Sequence, residues 1–161
     1  MKRVLFIGVL AYVFFLAEFL LFNCFGPWGR PHFLIILVVF FDLYLGIRYS
    51  LWAAVAAGVF KDAYSLELLG THILAYMACA YVTIFIRRNF YQPGSWGSRR
   101  LAVALCVVVY SVVLLLVHAI SGEPQVGKKF FQILLPEVAL TALAARWVFE
   151  QLKIMAIRFN L

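Results

Sequence analysis

LAVALCVVVYSVVLLLVHAI, residues 101–120, runs for twenty residues without an Asp, Glu, Lys or Arg. At about 1.5 Å of rise per residue, a helix of that length fits a hydrocarbon core about 30 Å thick. Comparable apolar stretches recur along the chain, so this segment is one of several. The spacing of apolar residues predicts helices over roughly 4–23, 33–47, 50–66, 70–86, 101–120 and 130–150. The second and third are short and separated only by Arg48-Tyr49. They read either as two tilted helices or as a partly re-entrant pair shielded by the others.

Composition sets the same solvent. The 161 residues are 66% hydrophobic and 13% charged, with a mean hydropathy of +0.99, whereas a soluble domain carries about 25% charged residues. No polar half stands apart, so residues 1–161 read as a single polytopic membrane domain. The net charge of +7 is spread between apolar runs and forms no continuous stripe. That pattern describes loop charges that fix orientation, not a nucleic-acid surface. Met1-Lys2-Arg3 followed by Val4–Phe22 superficially resembles a signal peptide. The apolar run is too long for one, contains Glu18, and lacks a small-x-small cleavage site, so an uncleaved first helix is expected. Cys24, Cys79 and Cys106 show no CxxC spacing and suggest neither a disulfide framework nor a metal site.

Basic residues orient the six helices. With the amino end inside, the cytoplasmic side receives Lys2, Arg3, Arg48, Arg87, Arg88, Arg99, Arg100, Lys153 and Arg158. The outer side receives Arg30, Lys61, Lys128 and Lys129, with Arg146 in the last turns of the sixth span. This bias places both termini in the cytoplasm. Loop chemistry agrees. Gly26-Pro27-Trp28-Gly29-Arg30-Pro31 is a tight turn, with Pro31 opening the second helix. Arg87-Arg88 and Arg99-Arg100 bracket a polar loop with Pro93-Gly94 at its tip, and Ser121-Gly122-Glu123-Pro124 stops the fifth helix. Tyr91 and Trp96 suit an interfacial aromatic belt. Past Trp147 the sixth helix is expected to continue, since Val148, Leu152, Met155 and Phe159 recur at helical spacing. Residues 151–161 are therefore expected to form an interfacial tail whose cations favour anionic lipid.

Function is sought among residues that lipid excludes. Glu18 lies in the outer third of the first helix, where it either faces the bundle interior or snorkels outward. Asp42, near the inner end of the second, can pair with Arg48 across the short turn. Asp62 follows a small-residue face in which Ala53/Ala57 and Ala54/Gly58 are each four apart, a spacing that lets another helix approach closely. Gly70, Thr71 and His72 open the fourth helix eight to ten residues later. Asp62 is thus expected to cap or contact the start of that helix; a solvated loop with a Lys61–Glu67 surface pair is the plainer alternative. Pro136 should kink the sixth helix by removing the bond to the Gln132 carbonyl, beside Glu137, which is expected to be hydrogen-bonded internally. No chain of residues evidently links these carboxylates. His32, His72 and His118 are isolated in sequence and make no zinc site. No HExxH, GxSxG, Walker loop or Ser/Lys pair occurs. The residues suggest no enzyme and no cofactor.

The arrangement resembles the MreD family of bacterial rod shape-determining membrane proteins. The likeness rests on six short spans, Pro31-His32-Phe33-Leu34-Ile35-Ile36 opening the second, Gly58-x-x-x-Asp62, Leu69-Gly70-Thr71-His72, Arg87-Arg88-Asn89-Phe90, and a polar residue late in the first span, here Glu18. Lys61 departs from it, since the family more often has an apolar residue there. The resemblance implies an all-α, six-span inner-membrane bundle with both termini cytoplasmic, similar in fold to the S-components of energy-coupling-factor vitamin transporters. It also implies a non-enzymatic scaffold of the cell-elongation complex. Such a subunit would bind MreC and, through it, connect MreB filaments to RodA and its penicillin-binding transpeptidase. The rival function is an S-component that binds a vitamin-like ligand. Those proteins dock their transport partner through alanines four apart on the first span, where this chain has Ala11 and Ala17, six apart. A proton-coupled carrier using Glu18 and Glu137 is a third, weaker reading.

Overall fold

The computed structural model describes residues 2–25, 31–65, 69–89, 95–120 and 126–158. The expected turn at 26–30, Glu67, Phe90, Tyr91, the loop tip at 93–94, the stop at 121–124, Phe159 and the Cys24 side chain lie outside what is described. Six helices follow one another: α1 (Lys2–Phe25), α2 (Phe33–Leu45), α3 (Ile47–Tyr64), α4 (Thr71–Asn89), α5 (Trp96–Ile120) and α6 (Val126–Arg158). The described residues contain no β-strand. Within α1 and α5, Leu5–Asn23 and Trp96–Ile120 are long and apolar enough to cross a membrane.

The centre is α2. At thirteen residues it is about 20 Å long, short of a hydrocarbon core. It packs against every other helix, and each residue from Leu34 to Phe41 is buried. A helix apolar on all sides belongs inside a protein, which is why its run of Leu, Ile, Val and Phe carries no amphipathic pattern. Around it the bundle turns large apolar side chains outward. They include Leu5, Val9, Val13 and Leu20 of α1, Leu101, Leu105 and Val112 of α5, and Leu135, Leu143 and Trp147 of α6. Patches of this extent disfavour contact with water and suit a lipid surround.

Several boundaries differ from the sequence reading: α4 runs on to Asn89 and α5 starts at Trp96, so Arg87, Arg88, Arg99 and Arg100 lie on helices, and α6 starts at Val126. The α2–α3 turn falls at Gly46, before Arg48-Tyr49. Gly46 has φ 90°, a conformation that side chains disfavour, and its N–H donates to the Phe41 carbonyl at 3.0 Å. At the other end of the chain, α6 continues unbroken to Arg158. The continuation expected past Trp147 occurs: Val148, Phe149 and Leu152 are buried in the core and no Gly or Pro interrupts 137–158. Arg146 accordingly lies mid-helix and not in a last turn.

Small residues set the spacing of the central layer. Ala53, Ala54 and Ala57 are fully buried, and a Cβ built on Gly58 would stand 2.5 Å from Ile73 Cα and 2.8 Å from Ile73 N. The α4 backbone therefore occupies the space that a side chain at 58 would need. The stripe closes the chain's own bundle and leaves no free face for a partner helix. Between α4 and α5, the Cys79 thiol donates to the Cys106 carbonyl at 3.2 Å, and the Thr83 hydroxyl donates to the Cys79 carbonyl at 2.8 Å. Both cysteines are free thiols.

Candidate functional site

Successive helices alternate in direction, so the late turns of α1 and α3 meet the first turns of α2 and α4 at one end of the bundle. The polar residues that lipid would exclude gather there. Glu18 of α1 accepts a hydrogen bond and ion pair from Lys61 of α3. Its Oε1 also lies 3.5 Å from Nδ1 of His32, the residue that precedes α2. On the other side of that imidazole, Nε2 lies 3.5 Å from Glu137 Oε2 of α6. Two carboxylates thus flank one ring, with the Lys61 ammonium closing the set. Glu18, His32 and Glu137 are all buried.

Hydrogen bonds anchor the residue and continue the network. The His32 main-chain N–H donates to Thr141 Oγ1 at 3.0 Å, and the Thr141 hydroxyl donates to the Glu137 carbonyl at 2.6 Å. This back-bond lies one turn after Pro136, which stands inside α6 and leaves the Gln132 carbonyl without its usual helical donor. Tyr110 of α5 lies beside His32, with ring centroids 5.2 Å apart, and Lys61 Nζ sits 5.6 Å from the Tyr110 ring centroid. The Tyr110 hydroxyl is 2.9 Å from Nδ1 of His72 on α4. Every helix, or the residue that opens it, therefore contributes to one continuous polar cluster.

Asp62 ties the cluster to the start of α4. Its carboxylate accepts from the N–H groups of His72 at 3.0 Å, Gly70 at 3.0 Å and Ile73 at 3.4 Å. The first N–H groups of a helix lack intrahelical acceptors, and a carboxylate there also meets the positive end of the helix dipole. Gly70, at φ 96°, turns the chain so that its own N–H points back at Asp62. The close approach at Gly58, one turn earlier on α3, brings the two backbones near enough for this cap. Asp62→Ala should lower stability by about 1–3 kcal/mol, since it leaves several N–H groups without an acceptor. Asp62→Asn, which keeps one carbonyl acceptor, should lower it less. Thermal unfolding in detergent, followed by tryptophan fluorescence, checks this order.

Other expected contacts are replaced. Lys61 lies on α3, which extends to Tyr64, and pairs with Glu18; Glu67 lies outside the described residues. His32 and His72 share one network, and His118 instead bonds the Leu114 carbonyl of its own helix at 2.9 Å. Asp42 does not pair with Arg48, because the turn at Gly46 leaves Arg48 exposed while Asp42 is fully buried. Arg87 of α4 donates to the Asp42 main-chain carbonyl at 2.9 Å. The sequence reading missed Lys61 and Tyr110 as partners. The available signal was depth: Glu18, His32, Lys61 and His72 all lie at helix ends that alternation brings to one level.

Within the cluster, Lys61 and His32 lie against the carboxylates of Glu18 and Glu137. Among the described residues, no group of three or more His, Cys, Asp or Glu is placed to hold a metal ion. A family model described as rod shape-determining protein MreD matches residues 2–154. The chain belongs to the MreD family. No curated protein and no solved structure matches it. The MreD match spans every member of the polar cluster. It carries a role in determining rod shape, in a structural family and not an enzyme family, and its setting in the membrane agrees with the outward apolar surface.

Proposed function

We propose that this MreD-family chain is a non-enzymatic scaffold that crosses the bacterial inner membrane six times with both termini cytoplasmic. Its partner in this reading is an MreC-like single-span protein, through which it joins RodA, the penicillin-binding transpeptidase and MreB filaments. The carrying observation is that one polar cluster draws a residue from each of the six helices, or from the residue that opens it, and ties them together through Glu18–Lys61, His32–Glu137 and Tyr110–His72, which supports a rigid body over a substrate-handling one. The positive bias at the end holding Arg87, Arg88, Arg99 and Arg100 supports the orientation.

A partner helix needs a face that the bundle leaves open. Among the described residues, helix α1 packs only on α2 and α3 and exposes Val9, Tyr12 and Val13. A Cβ on Gly8 would meet nothing within 4 Å, so a partner backbone can come close there without disturbing the fold. The test is capture of the MreC-like protein from native membranes by the tagged full chain. The wild type should retain it, and Gly8→Leu should release most of it at unchanged thermal stability. Recovery of the chain without any MreC-like protein would overturn the proposal; full capture by Gly8→Leu would remove α1 as the surface.

A further inference from the structure

At the bundle end opposite the polar cluster, α2, α5 and α6 bring together three cations that have little to neutralise them. The guanidinium of Arg99 lies over two rings, 4.9 Å from the Trp96 centroid and 5.8 Å from that of Tyr44. Arg146 approaches the same Trp96 ring at 5.9 Å, and Lys153 approaches Tyr44 at 6.0 Å. Cations and rings therefore alternate along a short ladder: Arg146, Trp96, Arg99, Tyr44, Lys153. Quadrupole attraction of this kind is modest, and like charges held this close repel one another.

The acidic side is sparse. Glu150 lies 3.9 Å from Arg146 within its own helix, and both are largely exposed, so that pair is weak. Arg99 differs in being 8% exposed with its buried Nε unpartnered. Among the described residues, no hydrogen bond from Arg99 is found. A buried guanidinium donor left unmatched calls for an acceptor, and its planar fork suits the oxygens of a phosphate. The N-terminus of α5 begins at Trp96 in the same place, adding backbone N–H groups and the positive end of a helix dipole. Tyr44 and Trp96 are only partly buried, so the ladder opens at the bundle surface.

We infer that Arg99, Arg146 and Lys153, with the first turn of α5, form a binding site for a phosphate group. A lipid headgroup at the membrane boundary and free inorganic phosphate share this chemistry. The full-length protein in detergent is titrated with short-chain phosphatidylglycerol, with zwitterionic phosphatidylcholine, and with inorganic phosphate, and binding is read by native mass spectrometry and by isothermal titration. Saturable binding of phosphatidylglycerol at least tenfold tighter than phosphatidylcholine, with no binding of inorganic phosphate, identifies a lipid headgroup. Saturable binding of inorganic phosphate identifies the free ion. Either should weaken at least tenfold in Arg99→Gln, and also in Arg146→Gln/Lys153→Gln, whose exposed side chains are removable without loss of the fold. Arg48→Gln, an exposed cation on another helix, should bind as the wild type does. Binding unchanged by the Arg146/Lys153 double substitution, or weakened equally by Arg48→Gln, would overturn the assignment, as would failure of both anionic probes to bind.

Discussion

Lys61→Met should destabilise the bundle by about 2–3 kcal/mol, below the range for removing one member of a fully buried ion pair, because Lys61 is only partly buried. The loss arises from what remains, because Glu18 stays buried between α1 and α3 with its principal cation gone, and His32 is left between two carboxylates. Glu18→Gln/Lys61→Met should recover much of that loss, since neither charge is then stranded. Chemical or thermal unfolding in detergent, run as a double-mutant cycle, measures the coupling. A single substitution as mild as that of an exposed lysine, below about 1 kcal/mol, would show that the pair does not hold the helices.

Gly58→Ala is the second large effect. The added Cβ would meet the main chain of Ile73 at 2.5–2.8 Å, and main chain does not swing aside as a long side chain does. Overpacking of this kind costs about 1–3 kcal/mol. Separating α3 from α4 would also draw Asp62 away from the N–H groups it caps. Ile73→Ala should not rescue the variant, because truncation leaves Ile73 Cα and N in place. The melting temperature of Gly58→Ala should thus fall well below that of wild type and stay low in the double variant. Rescue by Ile73→Ala would mean that the close approach is through side chains.

Helix number was legible because a lipid-exposed surface demands long apolar runs; the depth of Glu18 and Lys61 was not, since a charge near a helix end reads equally as snorkelling outward. Gly58, Asp62 and Gly70 were readable as one unit, since small-residue spacing, a carboxylate and a glycine turn occur within eighteen residues, 53–70. The links between distant helices were not. His32, Lys61 and Tyr110 each have an ordinary isolated reading, and only the packing of α2 at the centre sets the depth at which they meet. The Asp42–Arg48 pair failed because one glycine conformation at 46 rotates everything after it. The continuation of α6 past Trp147 was readable, because Val148, Leu152 and Met155 recur at helical spacing.

The enclosure of α2 bears on how the chain is made. While a nascent polypeptide leaves the ribosome, this segment is too short to settle across a bilayer by itself, and the surfaces that later surround it have not all been synthesised. Phe149 and Leu152, which cover part of it, are among the last described residues to emerge. Biogenesis must therefore hold the second segment as a hairpin with the third until the carboxyl-terminal helix arrives. A chain cut short after residue 125 would present an uncovered core to the membrane's quality-control proteases.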